Sequence, residues 1–299
     1  MKRLLLHVGY PKSASTSLQN GLFLGLHKAS AVNFLGRAFE SDFYGEKQSK
    51  GQYKSWFDHV VASGPYDANP IGELSERLPN VLSEGLFMMN ERHHEHIVGP
   101  DVLQKYFASR ADKVDVLIVV RKQQDLIPSY YVQNYRRFEQ SAFSDFLAHH
   151  KSEDWRGETK IFNFYEVAKT YAAAFGKEGV HIVFFEDFVR NRNRFSEQVV
   201  AAMGIDPVVI QTHLGDGHLN QAPKKAHAVM VRKPSKFSRR LTKMSEKLGL
   251  GLADLFQVPL SPVADEERAF IHESFRDSNL RLAEDFSLDK QAMQSHGYL

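Results

Sequence analysis

The sequence predicts an α/β fold, a mostly parallel sheet with helices packed on both faces. Three observations predict it. Short, almost unbroken apolar runs recur along the chain, as strands buried on both faces require. Between them lie stretches in which apolar residues return every three or four positions, the helical period. Each run ends at a polar or charged residue, at the carboxyl edge where such sheets hold their ligands.

The first run, residues 4–8, reads Leu4-Leu5-Leu6-His7-Val8 and is closed at once by Gly9 and Pro11. Beyond that turn Leu18, Leu22 and Leu26 repeat every four residues, with Ser15, Thr16 or Ser17 available as N-cap, so the spacing predicts an amphipathic helix over about residues 16–28. The same order returns at Asn80-Val81-Leu82-Ser83, at residues 114–120 and at residues 180–185, and residues 32–35 add a further expected strand. The positions that follow the strands are therefore the informative ones: residues 9–17, Glu84, Arg121 and Glu186.

Composition limits what the chain can be. Its 299 residues and 34.1 kDa suffice for one large domain with a sizeable core, and we read residues 1–299 as a single domain. Apolar residues make up 42% and charged residues 25%, which excludes fibrous and disordered classes. The net charge is +2, too near neutral for whole-molecule attraction to nucleic acid or an anionic membrane. With no cysteine, disulfides, cysteine-ligated zinc, iron–sulfur clusters and thiol nucleophiles are excluded, and a reducing compartment is compatible. The opening residues only faintly imitate a secretion signal, since His7 interrupts the leucines and Pro11-Lys12 follow before any cleavage-site pattern. No stretch approaches the roughly 18 apolar residues needed to cross a bilayer, so the expected location is the cytoplasm.

Charge is nonetheless uneven. Lys224, Lys225, Arg232, Lys233, Lys236, Arg239, Arg240, Lys243 and Lys247 stand against Glu246 alone, giving +8 there and −6 for the rest of the chain. The surrounding residues 214–262 are punctuated by Gly and Pro and read as a basic flap or insertion with an embedded helix. One reading is a solvated helix face. In the other, Lys224 and Lys225 close over a nucleotide while residues 232–247 meet an anionic glycan or a membrane surface. Phe237 is the sole aromatic of the stretch, so stacking on single-stranded nucleic acid finds no support.

The loop after the first strand carries the sharpest chemistry. Tyr10-Pro11-Lys12-Ser13-Ala14-Ser15-Thr16-Ser17 places one lysine and four hydroxyls between a strand and the first turn of a helix. Backbone N–H groups and the positive end of a helix dipole converge in such a loop, which favours a phosphate or sulfate. The triphosphate-binding pattern G-x-x-x-x-G-K-[ST] is not matched, because Lys12 comes too early and no second glycine follows Gly9. The plain alternative is a capped helix after an ordinary turn.

Pro11-Lys12-Ser13-Ala14-Ser15-Thr16 resembles the 5′-phosphosulfate loop, P-K-[ST]-G-[ST]-[ST], of sulfotransferases that use 3′-phosphoadenosine 5′-phosphosulfate (PAPS). Ala14 stands where that family usually has glycine. If the position needs a positive φ, alanine costs about 1 kcal/mol or more. A second segment, residues 116–131, resembles the family's 3′-phosphate site: a strand ending in Arg121, then Ser129 eight residues later on a helix. A guanidinium there can grip phosphate in a fork while the serine adds a short hydroxyl donor. Lys122-Gln123 replaces the commoner Asn-Pro. Residues 162–177 and 183–188 are similar to the helix, strand and acidic turn of bacterial glycan sulfotransferases, and in all the resemblance spans roughly residues 3–205.

The resemblance implies a P-loop-like parallel sheet flanked by helices on both faces. It also implies a carbohydrate or glycolipid acceptor, with PAPS as donor and no metal. Lys12, Ser13, Ala14, Ser15, Thr16 and Ser17 would hold the 5′ end, and Arg121 and Ser129 the 3′-phosphate. Sulfuryl transfer needs charge stabilisation on the departing phosphate, for which Lys12 is the candidate, and a base for the acceptor proton. Glu84 is the candidate base, its alternative being a helix-entry acid facing the dipole. His93, His94, Glu95 and His96 lack the i, i+4 spacing of a helical metal site and read as a polar loop, from which one histidine could serve as the base instead. His7, inside the first strand, reads as a satisfied core residue. Two rival functions remain: an ATP- or GTP-dependent kinase with an atypical phosphate loop, and a non-catalytic module binding anionic glycans or membranes through residues 224–247.

Overall fold

The structure is a computed structural model and describes residues 1–36, 73–84, 100–134, 138, 142–206, 208, 230–232, 257–259 and 263–299. Five strands, β1 (Arg3–Val8), β2 (Asn33–Phe34), β3 (Asn80–Glu84), β4 (Lys113–Val120) and β5 (Val180–Phe184), form one sheet in the order β2-β3-β1-β4-β5. Every pairing in it is parallel. All five expected strands are present. β2 is short, but its ladder continues as Leu35 N–H donates to Val81 O (2.9 Å) and Ser83 N–H to Gly36 O (3.2 Å). Residue 185 leaves the sheet and opens a helix instead, because Glu186 and Asp187 occupy a first helical turn where the dipole favours acids.

The two-residue period of the strands sorts the core into two layers. Leu4, Leu6, Val8, Val116, Ile118 and Val120 face one side, under helices α3 (Pro100–Ala108), α4 (Gln123–Asn134), α5 (Phe143–Ser152), α6 (Phe164–Phe175) and α9 (Asp265–Asp285). Leu5, Val81, Leu117, Val119 and Val183 face the other, under the helix that follows β1 and under α7 (Phe185–Arg190) and α8 (Arg192–Met203). Because both faces are covered, the strands must be apolar throughout, which is why they stood out as runs rather than alternations.

The helix after β1 occupies residues 15–28 as α1 (Ser15–Ser17), a π-helical stretch (Leu18–Phe23) and α2 (Leu24–Lys28). Leu18, Leu22 and Leu26 are all fully buried, as their four-residue spacing requires. Each such burial stabilises the fold by about 1.5–3 kcal/mol.

Strand order also locates the ligand edge. From β1 the chain turns back past β3 to β2, whereas from its neighbour β4 it runs outward to β5. Connections leaving adjacent strands in opposite directions open a crevice beyond their carboxyl ends, and ligands of open α/β sheets bind there. Within residues 214–262, β6 (Met230–Arg232) pairs antiparallel with β7 (Gln257–Pro259), Met230 opposite Pro259. Lys224, Lys225 and the expected basic helix lie outside the described residues, as do His93, His94 and His96. The chain closes with α10 (Lys290–His296). Among the described residues no helix is long and apolar enough to cross a membrane.

Candidate active site

The loop from β1 is pinned on both sides of its bend. Gly9 N–H donates to Glu84 O (3.2 Å), and the buried Tyr10 donates its hydroxyl to Ile161 O (2.8 Å). Ser15 Oγ in turn donates to Tyr10 O (3.2 Å). Lys12 and Ala14 both have φ of +61°, with the buried Ser13 between them. The expected N-cap among Ser15, Thr16 and Ser17 is corrected to Ala14, which has no side chain able to cap. Leu18 N–H donates to Ala14 O (3.0 Å), so the N–H groups of residues 15–17 precede the first intrahelical donor and have no acceptor within the helix. Three hydroxyls and three amides thus share the opening turn of a 14-residue helical run, a concentration of donors suited to an anion.

Arg121 follows β4 beside this loop. Its Nη1 donates to Lys12 O (3.1 Å) and its guanidinium lies 5.1 Å from the centre of the Phe185 ring. Desolvation, and then the Arg121 charge, lower the Lys12 ammonium from the ordinary lysine range. Lys12 is exposed overall, so the desolvation is partial. Ser129 is half-buried on α4, six residues after Gln123, or about 9 Å along the helix axis. No hydrogen bond joins it to Arg121 among the described residues.

Glu84 ends β3, buried, in register with Val8 of β1. The sheet therefore sets the candidate base level with the start of the candidate phosphate loop. Behind it sits a buried polar knot. Gln19 Nε2 donates to Ser83 Oγ (2.8 Å), and the same oxygen lies 2.7 Å from His7 Nδ1. Gln19 belongs to the π-helical stretch, so this knot ties the helix to the strand that carries Glu84. His7 is only half satisfied, since Nε2 is buried with no hydrogen-bond partner among the described residues. Burial pushes its pKa down to about 3, keeping the ring neutral.

A further cluster lies behind Arg121. Glu186, buried in the first turn of α7, accepts from Lys122 N–H at Oε1 (3.1 Å) and from the Tyr298 hydroxyl at Oε2 (2.8 Å). Burial, then Glu186, push that hydroxyl well above the ordinary tyrosine range, while the Arg121 charge opposes the shift. Next to it His296 Nε2 lies 2.9 Å from Asp187 Oδ1, and Arg194 Nε pairs with Asp187 Oδ2 (3.2 Å). Glu186 was marked in the sequence only by its place after a strand. Tyr298 and His296 carry no local signal, because their partners lie more than a hundred residues away.

Residues 2–228 match a family model described as "Sulfotransferase domain". No curated protein matches the chain. Three solved structures give a TM-score of 0.39 each, too low to add to that match. A sulfotransferase from Alicyclobacillus acidocaldarius is 16% identical, over 81% of this chain and 91% of its own. Mouse sulfotransferase SULT7A1 complexed with PAP is 13% identical, over 96% and 82%. Retinol dehydratase in complex with androsterone and inactive cofactor PAP is 13% identical, over 95% and 80%.

Proposed function

Because this chain belongs to the sulfotransferase family, we propose that it moves the sulfuryl group of PAPS to a hydroxyl or amine of a carbohydrate or glycolipid. One observation supports the donor assignment: Arg121 hydrogen-bonds the backbone of Lys12, so the two candidate phosphate-binding segments lie together. A donor phosphorylated at both its 5′ and 3′ ends uses both. A nucleoside triphosphate, with all its phosphates at one end, has no need of the second.

In this reading Lys12 and the donors of Ser13, Ala14, Ser15, Thr16 and Ser17 hold the 5′-phosphosulfate. Arg121 and Ser129 grip the 3′-phosphate from two sides. As the S–O bond to the 5′-phosphate breaks, charge grows on the departing oxygen and Lys12 offsets it. Glu84 takes the acceptor's proton as the new S–O or S–N bond forms. The whole chain acts as one domain in the cytoplasm, with residues 214–262 a basic flap. Lys224 and Lys225 of that flap close over the nucleotide, and residues 232–247 face an anionic acceptor or a membrane surface.

The test is transfer of radiolabelled sulfate from PAPS to a panel of neutral glycans, anionic glycans, glycolipids and small phenols. Labelled glycan or glycolipid is expected, with anionic acceptors losing rate as salt rises. Labelling of phenols alone would overturn the acceptor assignment, and magnesium-dependent phosphate release from ATP without sulfate transfer would favour a kinase.

A further inference from the structure

We propose that Tyr298, the penultimate residue of the sequence given, is a positioning residue for Arg121, acting through Glu186 and the peptide that follows Arg121. This rests on the reading of Arg121 as a 3′-phosphate ligand and extends it to a segment outside the matched residues 2–228.

The connection is short and buried. Tyr298 is 1% exposed and its hydroxyl donates to Glu186 Oε2 (2.8 Å). The other oxygen of that carboxylate accepts from Lys122 N–H (3.1 Å), the amide joined directly to Arg121. A carboxylate buried beside these donors has strong reason to keep both, since each lost partner leaves buried charge uncompensated. Two more ties run in parallel. Gln124 Nε2 donates to Gly297 O (3.1 Å), and Asn279 Nδ2 donates both to Tyr298 O (3.0 Å) and to Gln123 Oε1 (3.2 Å). Residues 122, 123 and 124 are thus each held, directly or through one side chain, to residues 297–298.

This placement also answers a chemical need. The turn after Arg121 contains no proline to fix its backbone; it reads Lys122-Gln123. A guanidinium grips phosphate in a fork only if its backbone is held, because a small displacement breaks one of two parallel bonds. Tyr298 and Glu186 hold that backbone while Lys12 O and Phe185 contact the guanidinium itself. Tyr298 itself touches no substrate in this arrangement.

Tyr298→Phe removes the hydroxyl and keeps the ring that packs on Phe184 (5.1 Å between centroids) and Phe164 (6.4 Å). Affinity for 3′-phosphoadenosine 5′-phosphate (PAP) is measured by calorimetry in four full-length proteins: unmodified, Tyr298→Phe, Arg121→Ala and the double variant. The single Tyr298 change is expected to weaken PAP about fivefold and to raise KM for PAPS with kcat little altered. Added to Arg121→Ala it should weaken PAP no further, an outcome that a general loss of packing does not produce. Glu186→Gln, which leaves one oxygen to accept where there were two, should give a similar loss should Tyr298→Phe fold poorly. An equal loss in both Arg121 backgrounds, or a collapse of kcat at unchanged KM, overturns the inference. PAP binding that Arg121→Ala weakens but Tyr298→Phe and Glu186→Gln leave intact overturns it alone. An unmodified chain that takes no PAP overturns the nucleotide reading and this inference together.

Discussion

Arg121 Nη1 donates to the carbonyl of Lys12 across 3.1 Å, joining the turn after β4 to the loop after β1. In the proposed site one guanidinium thus serves both ends of the donor. Replacing it should therefore do more than remove a phosphate contact. Arg121→Ala is expected to weaken PAP about 10- to 100-fold by calorimetry, the range for charge-assisted bonds to phosphate. Arg121→Lys should recover little of this, because an ammonium cannot bond a carbonyl and fork a phosphate at once. Unchanged affinity in Arg121→Ala would remove it from the site.

Lys12→Ala should lower kcat about 10²- to 10³-fold, the loss typical of one preorganised donor at a developing charge. The Lys12 pKa is lowered, so its charge is lost as pH rises through a value below the ordinary lysine range. The alkaline limb of kcat/KM for PAPS, which reports the free enzyme, should begin correspondingly early. In Arg121→Ala the limb should move to higher pH, since one of the two causes of the lowering is gone. A limb that stays in place would separate the two residues electrostatically.

Ala14 sits at φ +61° and ψ 16°, a left-handed conformation that a side chain disfavours and glycine accepts freely. Ala14→Gly should stabilise the fold by about 1 kcal/mol, read as a higher denaturant midpoint with an unchanged slope. A lower midpoint would mean that the methyl group contributes packing that outweighs the strain.

Glu84→Gln keeps the shape of the last residue of β3 and removes its basicity. Turnover should fall about 10²- to 10⁴-fold while PAP affinity stays within twofold, because in the proposed mechanism the base meets acceptor and not nucleotide. Retained turnover would assign Glu84 to the alternative role of a helix-entry acid.

Two buried histidines predict the acid limit of stability. Burial lowers His7 to about 3, and burial then His149 lower His150 to about 4, while both rings take protons near 6.5 once unfolded. Below pH 6.5 the unfolded chain gains protons that the folded chain refuses, so stability is full above that value and falls as pH drops toward 4. Each ring can contribute a slope of up to about 1.4 kcal/mol per pH unit. Thermal unfolding between pH 7.5 and 4.5 checks this, and His7→Gln should flatten the dependence. A flat profile for the unmodified chain would contradict the neutral assignments.

The strands and the helix after β1 were legible because burial on both sheet faces leaves continuous apolar runs, and because Leu18, Leu22 and Leu26 sit at helical spacing. Arg121 drew attention because it directly follows β4, and Lys12 because it lies in the short loop between β1 and the helix. The strain at Ala14 was anticipated from the glycine it replaces. What stayed hidden depends on pairings across long stretches of chain. Ser83 looks like any strand serine until register sets it beside His7 and Gln19 reaches it from a π-helical turn. Tyr298 lies 112 residues from Glu186, and no local period or motif joins them. The hydroxyls of residues 15–17 suggested a cap, yet the helix begins one residue earlier than their pattern implies.

The most direct test of a donor phosphorylated at both ends is thermal unfolding with PAP, with ATP plus magnesium, and without ligand. At 100 times its dissociation constant a ligand adds roughly 2.7 kcal/mol, which for a chain of this length is a shift of about 4 °C. A donor phosphorylated at both ends predicts that shift with PAP and none with ATP and magnesium. A shift with ATP and magnesium alone would contradict it.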